Sequence, residues 1–236
     1  MSCVDGMRQL LLARQAILQR IAAHNRGMTR HGALIAGTAC ASAFVVLALV
    51  VGLAPAAVDP LDVWWNEAMI RGRSDAVVGV ALILNVVGGG WIATAVVPVA
   101  LALAALLARG WRAAIVVIVT MLASVAAVQL VKGVVARERP LEMLVTSDFG
   151  SFPSGHTANA ATVAIVLCVL LPRAIGIPLA IVWTSLMAAS RTVLSVHWLT
   201  DTLGGALLGA GAALLVVALF APWTSPRRPT IRQAKE

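Results

Sequence analysis

Six apolar runs dominate the sequence: 33–53, 77–108, 113–131, 158–171, 175–194 and 203–220. A helix needs about 20 such residues to cross the hydrocarbon core of a bilayer, and a chain that is 60% apolar and 12% charged has too little polar surface for a soluble domain. Backbone groups in lipid must be paired internally, and no polar-in, apolar-out alternation of a membrane β-barrel is present. The expectation is an all-α, six-transmembrane-helix bundle. The 77–108 run is too long for one crossing and too short for two. Its Gly88, Gly89 and Gly90 predict a single crossing preceded by an interfacial helix after the first span, anchored by Trp64 and Trp65.

Charge gives the orientation. Arg8, Arg14, Arg20, Arg26 and Arg30 precede the first run, Arg109, Arg112 and Arg173 sit in tight loops, and Arg227, Arg228, Arg232 and Lys235 follow the last run. With six crossings all of these fall on one side, while most acids fall on the other, so the positive-inside rule places both termini in the cytoplasm. Residues 1–30 read as a basic cytoplasmic segment, either a surface helix with snorkelling arginines or a frayed tail. Residues 31–222 form the membrane domain and 223–236 a polar, disordered cytoplasmic tail. An uncleaved first span is favoured over a signal peptide. Cys3, Cys40 and Cys168 offer no structural disulfide, and the Gly205/Gly209 spacing predicts close helix packing within the bundle rather than dimerisation.

Polar residues at span ends carry the chemistry, because charge near hydrocarbon is costly. The first cluster is Lys132-Gly-Val-Val-Ala-Arg137-Glu-Arg139-Pro140. If the helix continues through it, Lys132 and Arg139 lie nearly two turns apart on one face, able to grip one anion. The second is Pro153-Ser154-Gly155-His156, just before an apolar run, with Ser154 as N-cap. Helix N-termini bind anions, Gly155 lets the backbone approach one, and His156 beside it can act as acid or base. The third is Ser190-Arg191 followed by His197 and Asp201. On a helix the Asp201 carboxylate sits over the imidazole and accepts its Nδ1 proton, leaving Nε2 the better nucleophile. Any one cluster reads more economically as a cap or a topology anchor, yet on this topology all three share one face.

Together the clusters resemble the tripartite signature of the type 2 phosphatidic acid phosphatase superfamily, which also contains bacterial acid phosphatases and vanadium haloperoxidases. The match is complete at the defining positions from Lys132 to Asp201, and Met1 to Ser74 shows no usable signature. The resemblance implies a phosphoric ester hydrolase in which His197 attacks phosphorus, Asp201 orients it and His156 protonates the leaving alkoxide and then activates water. Lys132, Arg139, Arg191, Ser154 and Gly155 would hold the phosphoryl oxygens. No metal and no cofactor is expected, since no carboxylate cluster suited to a metal is present.

The expected partners are the bilayer and a lipid phosphate presented at its extracytoplasmic face, such as phosphatidic acid, phosphatidylglycerol phosphate or an isoprenyl mono- or diphosphate; nothing points to nucleic acid. A haloperoxidase fits poorly with so many spans. A non-catalytic lipid-phosphate binding or transport protein is the competing class, and the retained His156, His197 and Asp201 weigh against it. Arg137, Glu142 and Asp148 are near the site by sequence, as headgroup contacts or, the favoured reading, as solvated loop residues.

Overall fold

The computed structural model describes residues 29–147 and 149–224. The expectations for the N-terminal segment before Thr29, Cys3, Asp148 and the tail from Ser225 fall outside the described residues. All regular structure among those residues is helical. In chain order these are α1 (Arg30–Leu53), a 3-10 turn at Pro55–Ala57, α2 (Asp59–Arg71), α3 (Asp75–Val87), a π turn at Ile92–Val96, α4 (Val97–Arg109), α5 (Trp111–Val135), α6 (Gly155–Leu170), α7 (Arg173–Val193), α8 (Leu199–Leu219) and a final turn, α9 (Ala221–Thr224).

Five described helices are long and apolar enough to cross a membrane: Arg30–Leu53, Ile92–Arg109, Trp111–Val135, Arg173–Val193 and Leu199–Leu219. The expected sixth, Gly155–Leu170, has 16 residues and falls short on length. Its N-terminus is set late by the Ser154 cap and its C-terminus early by Pro172, because a chain approaching proline leaves helical geometry. The surfaces of the long helices are apolar outward, with Val46, Leu122 and Ile181 all more than half exposed. Such a distribution suits hydrocarbon as the surrounding medium, not water.

The 77–108 run resolves as the glycines predicted. One helix of crossing length, Ile92–Arg109, follows the Gly88–Gly90 turn. Its forerunner α3 has 13 residues, or about 20 Å at 1.5 Å per residue, too short for a core of about 30 Å. Both ends of α3 rest on the same end of the bundle. Arg73, just before it, donates to Val193 O (2.9 Å) and Ser195 Oγ (2.6 Å), while Asn85 near its far end accepts from Arg191 (2.6 Å).

The helix α2 that follows the first span is amphipathic in an inverted sense. Its buried residues are Asp62 and Asn66, while Leu61, Val63 and Trp64 are exposed. An apolar face turned outward with a tryptophan suits the membrane interface, and the polar face turns toward the loops at the bundle's end.

Helix α8 is the centre of the bundle, packed on α1, α5 and α6. A Cβ at Gly205 would stand 2.4 Å from Ser154 O, and one at Gly209 2.2 Å from Ala158 O. The pair therefore packs α8 on α6 backbone to backbone, the intramolecular use expected for it. Thr162 Oγ1, on α6, shares its one proton among Ala158 O (2.8 Å), Ser124 Oγ of α5 (2.8 Å) and Gly209 O of α8 (3.3 Å). On the other face of α8, Gly211 meets Cys40 and Ala41 of α1, and Gly37 of α1 meets Leu214 and Leu215.

Candidate active site

Phe152 fixes the loop that enters α6. Its side chain is fully buried, stacked on Phe44 of α1 at 5.9 Å and lodged against Gly204 of α8. The three sequence clusters are then stitched together by backbone. Ser154 N donates to Asp201 O (2.9 Å), Ser151 N to Arg137 O (2.8 Å), and Val196 N to Arg191 O (3.1 Å). Ser154 caps α6 as expected: its Oγ accepts from Thr157 N (3.5 Å) and from Thr157 Oγ1 (3.1 Å).

The first cluster converges by a different route from the one its spacing suggested. Helix α5 ends at Val135 and Ala136 turns left-handed at φ 47°, so Lys132 and Arg139 do not share a helical face. The chain instead doubles back through residues 137–150. Lys132 Nζ (3.0 Å) and one Arg139 amino group (2.9 Å) donate to the same Gly150 carbonyl. Two cations on one neutral oxygen mark a place where an anion's oxygen competes well.

His197 also lies outside a helix, since α8 begins at Leu199 with Trp198 as its N-cap. The loop nonetheless brings Nδ1 to 3.5 Å from Asp201 Oδ2, an ion-pair distance, although this buried nitrogen makes no hydrogen bond to any described residue. Asp201 Oδ2 is held more tightly by Trp198 N (2.8 Å) and Oδ1 by Arg137 (2.8 Å). Nε2 faces the Arg139 guanidinium at 3.3 Å. Burial pushes the His197 imidazole below its ordinary 6.5, with Arg139 and Lys132 adding to the effect and Asp201 opposing it. A neutral imidazole at neutral pH keeps the Nε2 lone pair available for attack.

Arg191 is 1% exposed and finds only neutral acceptors among the described residues: Asn85 Oδ1 (2.6 Å), Ser190 Oγ (3.1 Å) and Ala81 O (3.4 Å). A buried cation without a carboxylate is costly unless an anion visits it. His156 stands at the first turn of α6, its Nε2 3.3 Å from Asn85 O and so close to Gly89 that a Cβ there would sit 2.5 Å from it. Gly89 is therefore the residue that makes room for this imidazole.

Arg137 corrects the solvated-loop reading. Its side chain is 10% exposed and bridges Asp201 (2.8 Å) and Asp62 of α2 (2.8 Å), with the ring of Trp198 beneath it. Burial opposes its charge, but the two carboxylates more than offset that and raise its pKa. Asp62 in turn accepts from Thr200 N (2.9 Å) and Thr200 Oγ1 (2.6 Å). Glu142 keeps its exposed position, accepting from Asn66 at 3.1 Å.

Asp62, Asn66, Arg73 and Asn85 were not read from the sequence, though polar residues within apolar or interfacial segments are a usable signal. Asn66 and Arg73 meet at Ser195, whose Oγ donates to Asn66 Oδ1 (2.7 Å) and accepts from Arg73 (2.6 Å). They hold the left-handed Ser195, φ 49°, in a conformation that a non-glycine residue seldom takes. Through it they set the loop carrying His197.

Residues 113–225 match the family described as the PAP2 superfamily. The chain is 35% identical over 92 residues to decaprenylphosphoryl-5-phosphoribose phosphatase of Mycobacterium tuberculosis, which covers 37% of this chain and 50% of the relative. It is 30% identical over 109 residues to human sphingosine-1-phosphate phosphatase 2, covering 41% of this chain and 26% of the relative. The chain thus spans half or less of the length of these curated relatives. Among solved structures it resembles a transmembrane PAP2 type phosphatidylglycerolphosphate phosphatase from Bacillus subtilis, with a TM-score of 0.69 and 25% identity over 79% of this chain and 96% of that one. All eight residues singled out by the motifs fall inside the matched segment, whereas Asp62, Asn66, Arg73, Asn85 and Gly89 precede it. The motifs, the geometry and these matches agree: residues 113–225 match the PAP2 superfamily, and the chain resembles its membrane phosphatases.

Proposed function

We propose that this protein is a membrane lipid phosphatase that removes a phosphate from a lipid phosphate monoester or diphosphate through a phosphohistidine. The observation that carries the reading is the setting of His197, with Nδ1 toward Asp201 and Nε2 toward the Arg139 guanidinium. An imidazole oriented by a carboxylate, with its lone pair aimed into a cluster of cations, is suited to attack an anionic phosphorus. The names of the relatives point the same way, since each is a phosphatase of a lipid phosphate.

In the first step the Nε2 lone pair of His197 forms the N–P bond as the P–O bond to the leaving alcohol breaks. His156, protonated, gives its proton to the departing oxygen. In the second, neutral His156 takes a proton from water, whose oxygen attacks phosphorus as the N–P bond breaks. Inorganic phosphate and the starting imidazole result. Lys132, Arg139 and Arg191, with the Ser154–Gly155 helix start, hold the nonbridging oxygens in both steps. Arg137, engaged by Asp62 and Asp201, fixes the carboxylate that orients His197.

The proposed topology has six crossings, with α6 as the fourth. Arg109 at the end of α4 donates to Val169 O near the end of α6, and Arg173 begins α7. These cations share the end of the bundle opposite His156 and His197, which supports cytoplasmic termini and an extracytoplasmic site. Residues 31–222 are then one catalytic unit, with α2 and α3 at its outer rim.

The test is phosphate release by detergent-purified protein from a panel of lipid phosphates in excess EDTA, with His197→Ala in parallel. Metal-independent release that vanishes in the variant supports the reading. Equal release by a folded His197→Ala protein removes the covalent step, and tight lipid-phosphate binding without release favours a binding or transport protein.

A further inference from the structure

Beside His156 lies a cavity of about 180 Å³ that the steps above leave unused. Its wall is the 88–94 segment, α5 around Val128 and Gln129, and the first turn of α6 with His156 and Asn159. None of Lys132, Arg139, Arg191 or His197 lines it. In-line displacement places the leaving group opposite the attacking nitrogen and next to the acid that protonates it. The cavity is therefore on the side where the departing alcohol sits.

Two of its lining residues are amides. Asn159 is three residues beyond His156 on α6, and Gln129 lies three residues before Lys132 on α5. Neither side chain hydrogen-bonds another described residue. Gln129 is exposed on a helix whose neighbouring surface is apolar, with Leu122 63%, Val125 46% and Leu130 71% exposed. An amide left without a partner within a bilayer is expensive, and such residues face a ligand or a watered cavity. The third polar group, Thr94, donates its hydroxyl to Gly90 O at 2.8 Å, which leaves its oxygen as an acceptor. Donors and acceptors of amides complement hydroxyl groups, each of which offers one proton and two lone pairs. A bare hydrocarbon chain in the same place would leave both amides unsatisfied.

We propose that this cavity binds the alcohol part of the substrate through Asn159 and Gln129, and that the scissile phosphate is borne by a polyol, a glycerol or a sugar, rather than by a plain polyprenyl or alkyl alcohol. The proposal rests on the phosphatase reading above and narrows its substrate class. Ala93, Val125 and Val128 supply the apolar remainder of the wall, suited to the C–H faces of a polyol.

The experiment measures kcat/KM of the purified full chain in mixed micelles on phosphatidylglycerol phosphate, a polyprenyl-linked 5-phosphopentose and undecaprenyl phosphate. The wild type is expected to favour at least one hydroxylated substrate over undecaprenyl phosphate by about tenfold for each amide engaged. The two hydroxylated arms tell glycerol from sugar. In Asn159→Leu and Gln129→Leu the ratio of hydroxylated to plain substrate should collapse toward one. Gln129 is exposed, so its variant keeps the test sound if Asn159→Leu fails to fold, as judged by gel-filtration elution. Undecaprenyl phosphate cleaved as well as the others, or a preference that survives both substitutions, overturns the proposal and leaves the phosphatase standing. Release from none of the three overturns both.

Discussion

The two histidines sit in opposite surroundings. His197 is 3% exposed, and its loop is tied to Asp201, Arg139 and Arg191. His156 is half-buried, lies 3.3 Å from the Asn85 carbonyl and borders an open cavity. A nucleophile must meet phosphorus along one line, and small displacements of it are costly. An acid has to serve whichever alcohol departs, and room beside it is useful. Under the proposed mechanism the site is closely packed around the nucleophile and open beside the acid.

This contrast can be broken from the nucleophile side first. His197→Ala should lower kcat by roughly 10⁶-fold, the scale seen when a nucleophile is removed from a catalytic unit, with lipid-phosphate binding retained. Arg137→Ala leaves Asp62 and Asp201 buried without their shared cation, and should destabilise the fold by about 3–5 kcal/mol. Thermal unfolding in detergent measures it, and Arg137→Lys should recover part of the loss.

On the acid side the effect should depend on the substrate. His156→Ala is expected to cost about 10²–10⁴-fold with an alkoxide leaving group. Much less should be lost with p-nitrophenyl phosphate, whose leaving group needs no proton; a loss equal for both would deny His156 the role of acid.

The smallest effect tests the burial of His197. Its titration, followed by NMR of labelled histidine, should have a midpoint below 6.5. Asp201→Asn should move it lower still, because Asp201 is the group that raises it. The sign carries over to stability. The unfolded chain takes up the proton first, so this histidine's contribution is complete above 6.5 and is lost as pH falls toward the folded value. A midpoint above 6.5 would mean that the charge of Asp201 outweighs burial.

Much of this was legible in the chain. The Gly88–Gly90 break, the Ser154 cap and the packing role of Gly205 and Gly209 followed from local rules and hold in the fold. Two local geometries did not. The Lys132–Arg139 pair was read along a helix that ends at Val135, and the His197–Asp201 pair along one that begins only at Leu199. In each case the right residues meet by a loop. The left-handed Ala136 gave no sign, because alanine favours helix.

The sequence by itself determined the apolar surroundings, the helical class and the candidate site residues, because hydrocarbon tolerates few polar groups and those that remain stand out one by one. Only the tertiary structure decided what holds them. Arg137 becomes a buried bridge because α2 brings Asp62 to it, and Gly89 shapes the site because its turn meets α6. Such partners are distant along the chain, and a carboxylate or a glycine reveals its neighbour only when packing has brought the two together.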